Sequence, residues 1–71
     1  MPLIQVTMVE GRTTEQKHAL IRNLSAAMAE SLDVPLERIR VAIYEISGDE
    51  WGIGGQPYSL ARSGGVAPPA P

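Results

Sequence analysis

Hydrophobic and polar residues change their spacing along the chain, and each spacing predicts a different element. Over residues 3–9 they alternate, which is typical of a strand with one covered face. The apolar residues of one face are Ile4, Val6 and Met8, and the polar residues of the other are Gln5 and Thr7. Over residues 14–32 the apolar residues recur every three or four positions, as in an amphipathic helix. This stripe comprises Leu20, Leu24, Ala27, Met28 and Leu32.

Both ends of the predicted helix carry local signals. Thr13 is a suitable N-cap, and Gln16 follows it at the position that completes a capping box. Glu15 places a negative charge in the first turn, where the helix dipole favours it. Because Pro35 disfavours helical geometry at the preceding residue, the helix should end near Asp33.

A second strand is predicted from about Ile39 to Ile46, where apolar residues again alternate. Strand, helix and strand form a βαβ unit, whose strands pair in parallel through a right-handed crossover. Beyond it, Gly52, Gly54 and Gly55 predict a tight hairpin or a close approach of the backbone. With the hairpin, the predicted fold is α/β: a single β-α-β subunit with a parallel strand pair and a small C-terminal hairpin.

The chain is short for an independent hydrophobic core. It has 71 residues, and a domain of that size buries only about 60% of its unfolded surface. Because it contains no cysteine, disulfides cannot reinforce it, and association with other chains is the expected support. Residues 1–62 form the predicted domain, followed by a flexible tail rich in glycine and proline at residues 63–71.

Composition and charge argue against several classes of function. The six lysine and arginine residues are scattered, whereas a nucleic-acid-binding surface needs them clustered. No apolar segment approaches the roughly 18 residues of a membrane-spanning helix. The first residues lack the features of a signal peptide, so we expect a cytoplasmic location. With one histidine and no cysteine, no metal site is expected.

Three residues are candidates for chemistry. Removal of Met1, usual before a small residue, would give Pro2 a free secondary amine, whose pKa desolvation and nearby positive charge would lower. Arg12 lies in a turn, either as a solvated residue or as a bidentate clamp for a carboxylate. Arg40 lies inside an apolar strand, either on a solvent face or pointing into a neighbouring subunit's pocket. The residue pattern leaves these alternatives open.

Other residues carry weaker signals. Trp51, beside the glycine-rich turn, is either a core or interface residue or the wall of a pocket for a flat conjugated substrate. We interpret His18 as facing solvent and Arg38 as a solvated residue at the strand end. Glu10 and Glu45 are interpreted as structural.

The order and spacing of several segments together resemble the 4-oxalocrotonate (2-hydroxymuconate) tautomerase family. These segments are Pro2, Glu10-Gly11-Arg12, Glu15-Gln16-Lys17, Leu32-Asp33, Pro35, Arg40-Val41 and Gly52-Ile53-Gly54-Gly55. The resemblance covers about residues 2–60. It implies a homo-hexamer built as a trimer of dimers, with active sites at subunit boundaries.

The resemblance also implies a role for each candidate. Pro2 matches the family's catalytic proline, the general base. Arg12 matches the arginine that holds the far carboxylate of a dicarboxylate substrate. Arg40 matches the arginine from a neighbouring subunit that binds and polarises the 2-oxo or hydroxyl end. Trp51 takes the place of an aromatic pocket wall, often phenylalanine, and Val9 matches an apolar pocket position.

These roles imply an enol–keto tautomerase, without metal or organic cofactor, for a dienol dicarboxylate such as 2-hydroxymuconate. Related dehalogenases and hydratases use an added carboxylate that activates water. The region Trp51-Gly52-Ile53-Gly54 has no such acid, which argues against water addition. Two alternatives remain: a same-scaffold dehalogenase, decarboxylase or biosynthetic homologue acting on another unsaturated or enol acid, and a non-catalytic subunit of a hetero-oligomer.

Overall fold

The computed structural model describes the backbone of residues 2–63 and the side chains of residues 2–60. Met1, whose removal is predicted, lies outside the described residues. So do residues 64–71 of the predicted tail, whereas Ser63 is the last residue of a helix.

The order of the elements confirms the predicted β-α-β arrangement followed by a hairpin. The elements are β1 (Leu3–Val9), α1 (Thr14–Leu32), the first 3₁₀ turn (Leu36–Arg38), β2 (Arg40–Ile46), the second 3₁₀ turn (Gly48–Glu50), β3 (Gly52–Ile53), β4 (Gln56–Pro57) and α2 (Tyr58–Ser63). Strands β1 and β2 pair in parallel, and β3 pairs with β4 in antiparallel fashion. The described residues divide into a first compact unit, 2–6 with 11–44, and a second, 7–10 with 45–63.

Strand β1 has the predicted bounds and the predicted alternation. Successive side chains are exposed and half-buried in turn up to its last residue, which is buried. At the start of the pairing, in the first unit, the Arg40 amide donates to the Pro2 carbonyl at 3.0 Å. At its end, in the second unit, the Glu10 amide donates to the Ile46 carbonyl at 2.9 Å.

Helix α1 begins and ends where the sequence predicts. The Gln16 amide donates to Thr13 Oγ1 at 3.0 Å, and the Thr13 amide donates to Gln16 Oε1 at 2.9 Å. This reciprocal pair is the predicted capping box. Asp33 adopts a left-handed conformation, with φ 54° and ψ 50°, and its amide donates to the Ala29 carbonyl. A left-handed residue after the last turn is a common end of a helix.

The predicted apolar stripe of α1 is only partly covered. Leu20, Leu24 and Met28 are half-buried, but Ala27 is exposed and Leu32 remains 53% exposed. Leu32 is the last residue of the helix, directly before the left-handed Asp33.

The segment before β2 differs from the prediction. Residues Leu36–Arg38 form the first 3₁₀ turn, so that β2 begins at Arg40, one residue later than predicted. The amides of Arg38 and Ile39 donate to the carbonyls three residues earlier, at 3.0 and 3.1 Å. Arg38 therefore belongs to this turn, not to the end of the strand.

The predicted glycine hairpin is present in the second unit. Ile53 pairs with Gln56, and the two residues between them, Gly54 and Gly55, have φ values of 62° and 87°. A two-residue hairpin turn with positive φ at both positions favours glycine. The pattern of the sequence does not predict the second 3₁₀ turn or helix α2, which flank this hairpin.

Little apolar surface is buried within one chain. Among residues 2–60, Val9 and Ile39 are the buried hydrophobic residues, at 9% and 8% exposure, and none is completely covered. Leu3 and Tyr44 stay 53% and 51% exposed. A core of this size supports the expectation that the chain is stabilised by association with others.

Within the described range, neither helix combines the length and hydropathy needed to cross a bilayer. The cytoplasmic location stays a prediction from the sequence.

Candidate active site

The first unit brings the backbones of Pro2 and Arg40 together. Pro2 is half-buried and directly precedes β1, and its carbonyl accepts the Arg40 amide at 3.0 Å. Because β1 and β2 run in parallel, this hydrogen bond joins the starts of the two strands. The candidate base and one candidate arginine therefore stand at the same end of the strand pair.

The Arg40 guanidinium folds back on its own chain. Its Nη1 donates to the Glu37 carbonyl at 2.7 Å and to the Ile39 carbonyl at 3.2 Å. Glu37 belongs to the first 3₁₀ turn, and Ile39 follows that turn. The side chain as a whole is exposed, so it can reach a ligand while the turn holds one of its nitrogens.

Arg12 lies in the same unit between two conformationally restricted residues. Gly11 has a φ of 125°, which L side chains rarely adopt, and Thr13 is fixed by the capping box. The Arg12 side chain is exposed. Within the described part of the chain, no hydrogen bond or ion pair joins it to Pro2 or Arg40, so its clamping role stays a prediction.

Val9 and Trp51 belong to the second unit. Val9 is buried at the end of β1. Trp51 is half-buried after the second 3₁₀ turn, and its carbonyl accepts the Tyr58 amide at 2.7 Å. Both residues thus occupy well-defined backbone positions, and their role in a pocket is taken from the resemblance.

Four residues that the sequence sets aside are exposed. They are His18 and Arg38, interpreted as solvated, and Glu10 and Glu45, interpreted as structural.

Sequence reasoning misses the two carbonyls that hold Arg40. The available signal is Pro35, which cannot continue a helix and favours a turn after it. A similar signal precedes the second 3₁₀ turn, where Ser47 stands as an N-cap before Gly48. Neither signal indicates on its own which side chain the turn will bind.

Residues 2–61 match the family of tautomerase enzymes. The chain is 56% identical over 62 residues to 2-hydroxymuconate tautomerase of Pseudomonas sp. (strain CF600), which covers 87% of this chain and 98% of the relative. A solved heterohexamer 4-oxalocrotonate tautomerase of Chloroflexus aurantiacus is 47% identical, with a TM-score of 0.80 and coverage of 83% and 95%. A solved 4-oxalocrotonate tautomerase homologue of the tomaymycin biosynthetic pathway is 37% identical, with a TM-score of 0.87 and coverage of 92% and 100%.

The fold and these similarities define an isomerase, an enzyme that interconverts enol and keto tautomers. More particularly, the chain belongs to the 4-oxalocrotonate tautomerase family, as the resemblance in its sequence implies.

Proposed function

We propose that the enzyme converts 2-hydroxymuconate, or a closely similar dienol dicarboxylate, into the conjugated ketone, with Pro2 as general base. The hydrogen bond between the Pro2 carbonyl and the Arg40 amide carries this proposal. It supports a site at this end of the strand pair, where the Pro2 of one subunit and the Arg40 of a neighbour act on one substrate. The relative at 56% identity, a 2-hydroxymuconate tautomerase, supports the class of substrate.

The proposed reaction moves one proton and leaves the atoms of the substrate otherwise unchanged. The neutral Pro2 amine removes the proton of the 2-hydroxyl group, and the electron pair of that O–H bond forms the carbonyl. The double bonds shift along the chain, and the protonated amine delivers a proton to C5. A positioned acid–base group contributes about 10²–10⁴-fold to the rate of such a step.

The two arginines act at opposite ends of the substrate. Arg40 stabilises the negative charge that develops on the 2-oxygen, which is the larger effect when the site excludes water. Arg12 binds the far carboxylate in a charge-assisted pair. The proposed roles of Val9 and Trp51, an apolar pocket position and an aromatic pocket wall, rest on the family resemblance.

Assembly is part of the proposal. Because Pro2 and Arg40 stand at the same end of the strand pair, chains that meet there can place the arginine of one subunit beside the proline of another. The exposed Leu3 and Tyr44 of the first unit supply apolar surface for such contacts. We propose a homo-hexamer arranged as a trimer of dimers.

Native mass spectrometry of the purified chain tests this assembly. A hexamer of one chain is the expected result. A chain that stays monomeric and becomes active only with a different tautomerase chain would contradict it and favour a hetero-oligomer, the arrangement of the similar Chloroflexus aurantiacus enzyme.

An experiment on Arg12 tests the substrate class. Ultraviolet absorbance follows the ketonisation of 2-hydroxymuconate and of a matched dienol that lacks the far carboxylate. We expect the wild type to prefer the dicarboxylate. Arg12→Ala should raise KM for the dicarboxylate by about 10–100-fold, because a hydrogen bond to a charged group contributes roughly 1.5–3 kcal/mol. KM for the shorter acid should stay unchanged.

The exposed Asn23 in the middle of α1 provides a control, and Asn23→Ala should leave both substrates unaffected. A wild type that ketonises neither substrate above the spontaneous rate, yet turns over a halogenated or decarboxylatable acid, would overturn the proposed reaction.

A further inference from the structure

The contacts of Arg40 restrict the part of its guanidinium that can meet a ligand. A guanidinium has five N–H donors: two on each terminal nitrogen and one on Nε. The two hydrogens of Nη1 are matched by two acceptors, the carbonyls of Glu37 at 2.7 Å and Ile39 at 3.2 Å. The donors that remain for a ligand are those of Nη2 and Nε.

The first 3₁₀ turn makes these acceptors available. Its amide-to-carbonyl bonds use the carbonyls of Pro35 and Leu36, at 3.0 and 3.1 Å. The next carbonyl, that of Glu37, lies beyond the last hydrogen bond of the turn. Carbonyls at the end of a helical segment have no backbone donor within it and need another donor. They also carry partial negative charge, which favours a cation. Arg40 therefore caps the turn with its side chain.

We propose that the first 3₁₀ turn positions Arg40 by holding Nη1, so that the arginine binds substrate through its Nε–Nη2 edge. This inference rests on the proposed function. The carboxylate and neighbouring 2-oxygen of the enol end offer two acceptors to that edge, and paired N–H donors suit such planar groups. Binding through the Nη1–Nη2 edge would first require the two carbonyl contacts to break.

Pro35 is the positioning residue in this arrangement. Its ring fixes φ, which is −63° here, and its carbonyl closes the turn on the Arg38 amide. Glycine at this position would permit the same conformation without enforcing it. The Glu37 carbonyl would then lose its fixed place relative to Arg40.

Lysine at position 40 cannot reproduce the arrangement. An ammonium group has a single nitrogen with three donors, whereas the guanidinium has separate edges in a rigid plane. A lysine that capped the turn would have no second nitrogen for the substrate. Only arginine can thus cap the turn with one nitrogen and bind the substrate with others.

A double-mutant cycle between Pro35→Gly and Arg40→Lys measures the coupling through steady-state kinetics with 2-hydroxymuconate. Pro35→Gly alone should lower kcat by about tenfold, within the roughly 100-fold that a 1 Å misplacement can cost. In the Arg40→Lys background the same change should lower kcat by less than about twofold, because lysine has no held edge to lose.

Asn23→Gly, at an exposed position in α1, is the matched control. It should destabilise the chain by a similar small amount without changing kcat. Equal losses of kcat from Pro35→Gly in both backgrounds, or an equal loss in the control, would overturn the positioning role.

Nuclear magnetic resonance of ¹⁵N-arginine-labelled wild type tests the contact without using activity. The resonance that disappears in Arg40→Lys identifies the Arg40 side chain. In the wild type we expect slowed rotation about its Cζ–Nη1 bond. In Pro35→Gly we expect that rotation to be free. The exposed Arg12 is the internal reference. Free rotation in the wild type would overturn the inference even in an active enzyme. Slowed rotation in an enzyme inactive on 2-hydroxymuconate would uphold the contact and reject the proposed function.

Discussion

The two 3₁₀ turns begin with the same backbone conformation but are closed by side chains at opposite ends. The residues before them, Pro35 and Ser47, have nearly equal φ and ψ values of −63° and 143° and of −61° and 144°. The first turn has no side-chain cap at its start, and a charged side chain, Arg40, binds at its end. The second is capped at its start by Ser47 Oγ, which accepts the Asp49 amide at 3.1 Å.

The second turn is also linked to helix α2 by neutral and acidic groups. The Ser59 hydroxyl donates to Asp49 Oδ1. None of these groups has a role in the proposed chemistry. A turn closed by its own polar side chains therefore contributes to stability. A turn closed by a candidate site residue also sets the geometry of that residue. Substitutions that remove the contact between the first turn and Arg40 should thus change catalysis, and those that remove the cap of the second turn should change stability.

Replacement of Arg40 should give the larger effect. Arg40→Ala removes the group proposed to stabilise the developing oxyanion and should lower kcat by about 10²–10³-fold, the usual loss for such a donor. Stopped-flow or steady-state absorbance with 2-hydroxymuconate measures it. Arg38→Ala is the control, because Arg38 is an exposed arginine of the same turn. If both variants lost activity equally, general positive charge would explain the effect, and the contact of Arg40 with the first turn would not.

Replacement of Ser47 should give the smaller effect, and on stability alone. Ser47→Ala removes the acceptor of the Asp49 amide and should lower the free energy of unfolding by about 1 kcal/mol, as for other N-caps. Urea denaturation followed by circular dichroism measures it, with the exposed Ser31→Ala in α1 as control. A kcat that fell severalfold in folded Ser47→Ala would show that the second turn also shapes the site.

Elements with strong local signals are predictable from this sequence. The capping box of Thr13 and Gln16 predicts where α1 begins, and Pro35 predicts that it ends near Asp33, as observed. The glycine pair determines the hairpin turn. The 3₁₀ turns are not predicted, because three residues are too few to show a periodicity, and the isolated signals of Pro35 and Ser47 fit several kinds of turn.

The sequence predicts which residues belong to the candidate site, but it does not predict the contacts between them. The resemblance selects Pro2 and Arg40, but alternation of apolar residues is equally satisfied when a strand shifts by two positions. The register that joins the Pro2 carbonyl to the Arg40 amide therefore emerges only in the folded chain. The contact of Nη1 with two carbonyls depends on side-chain conformation, which a residue pattern does not contain.

The proposed chemistry depends on the Pro2 nitrogen as general base, and the pH dependence of kcat/KM tests that role. Intact mass first establishes that Met1 is absent, since an acylated Pro2 nitrogen has no basic lone pair. A protonated amine cannot accept a proton, so activity should be low at acid pH and rise through a single ionisation.

Pro2→Ala carries a primary amine in place of the ring nitrogen. We predict that it loses at least about 10²-fold in kcat/KM, the lower range for a positioned acid–base group, and that its ionisation midpoint shifts. A Pro2→Ala variant with the rate and pH profile of the wild type would contradict the role of Pro2 and place the base elsewhere in the chain.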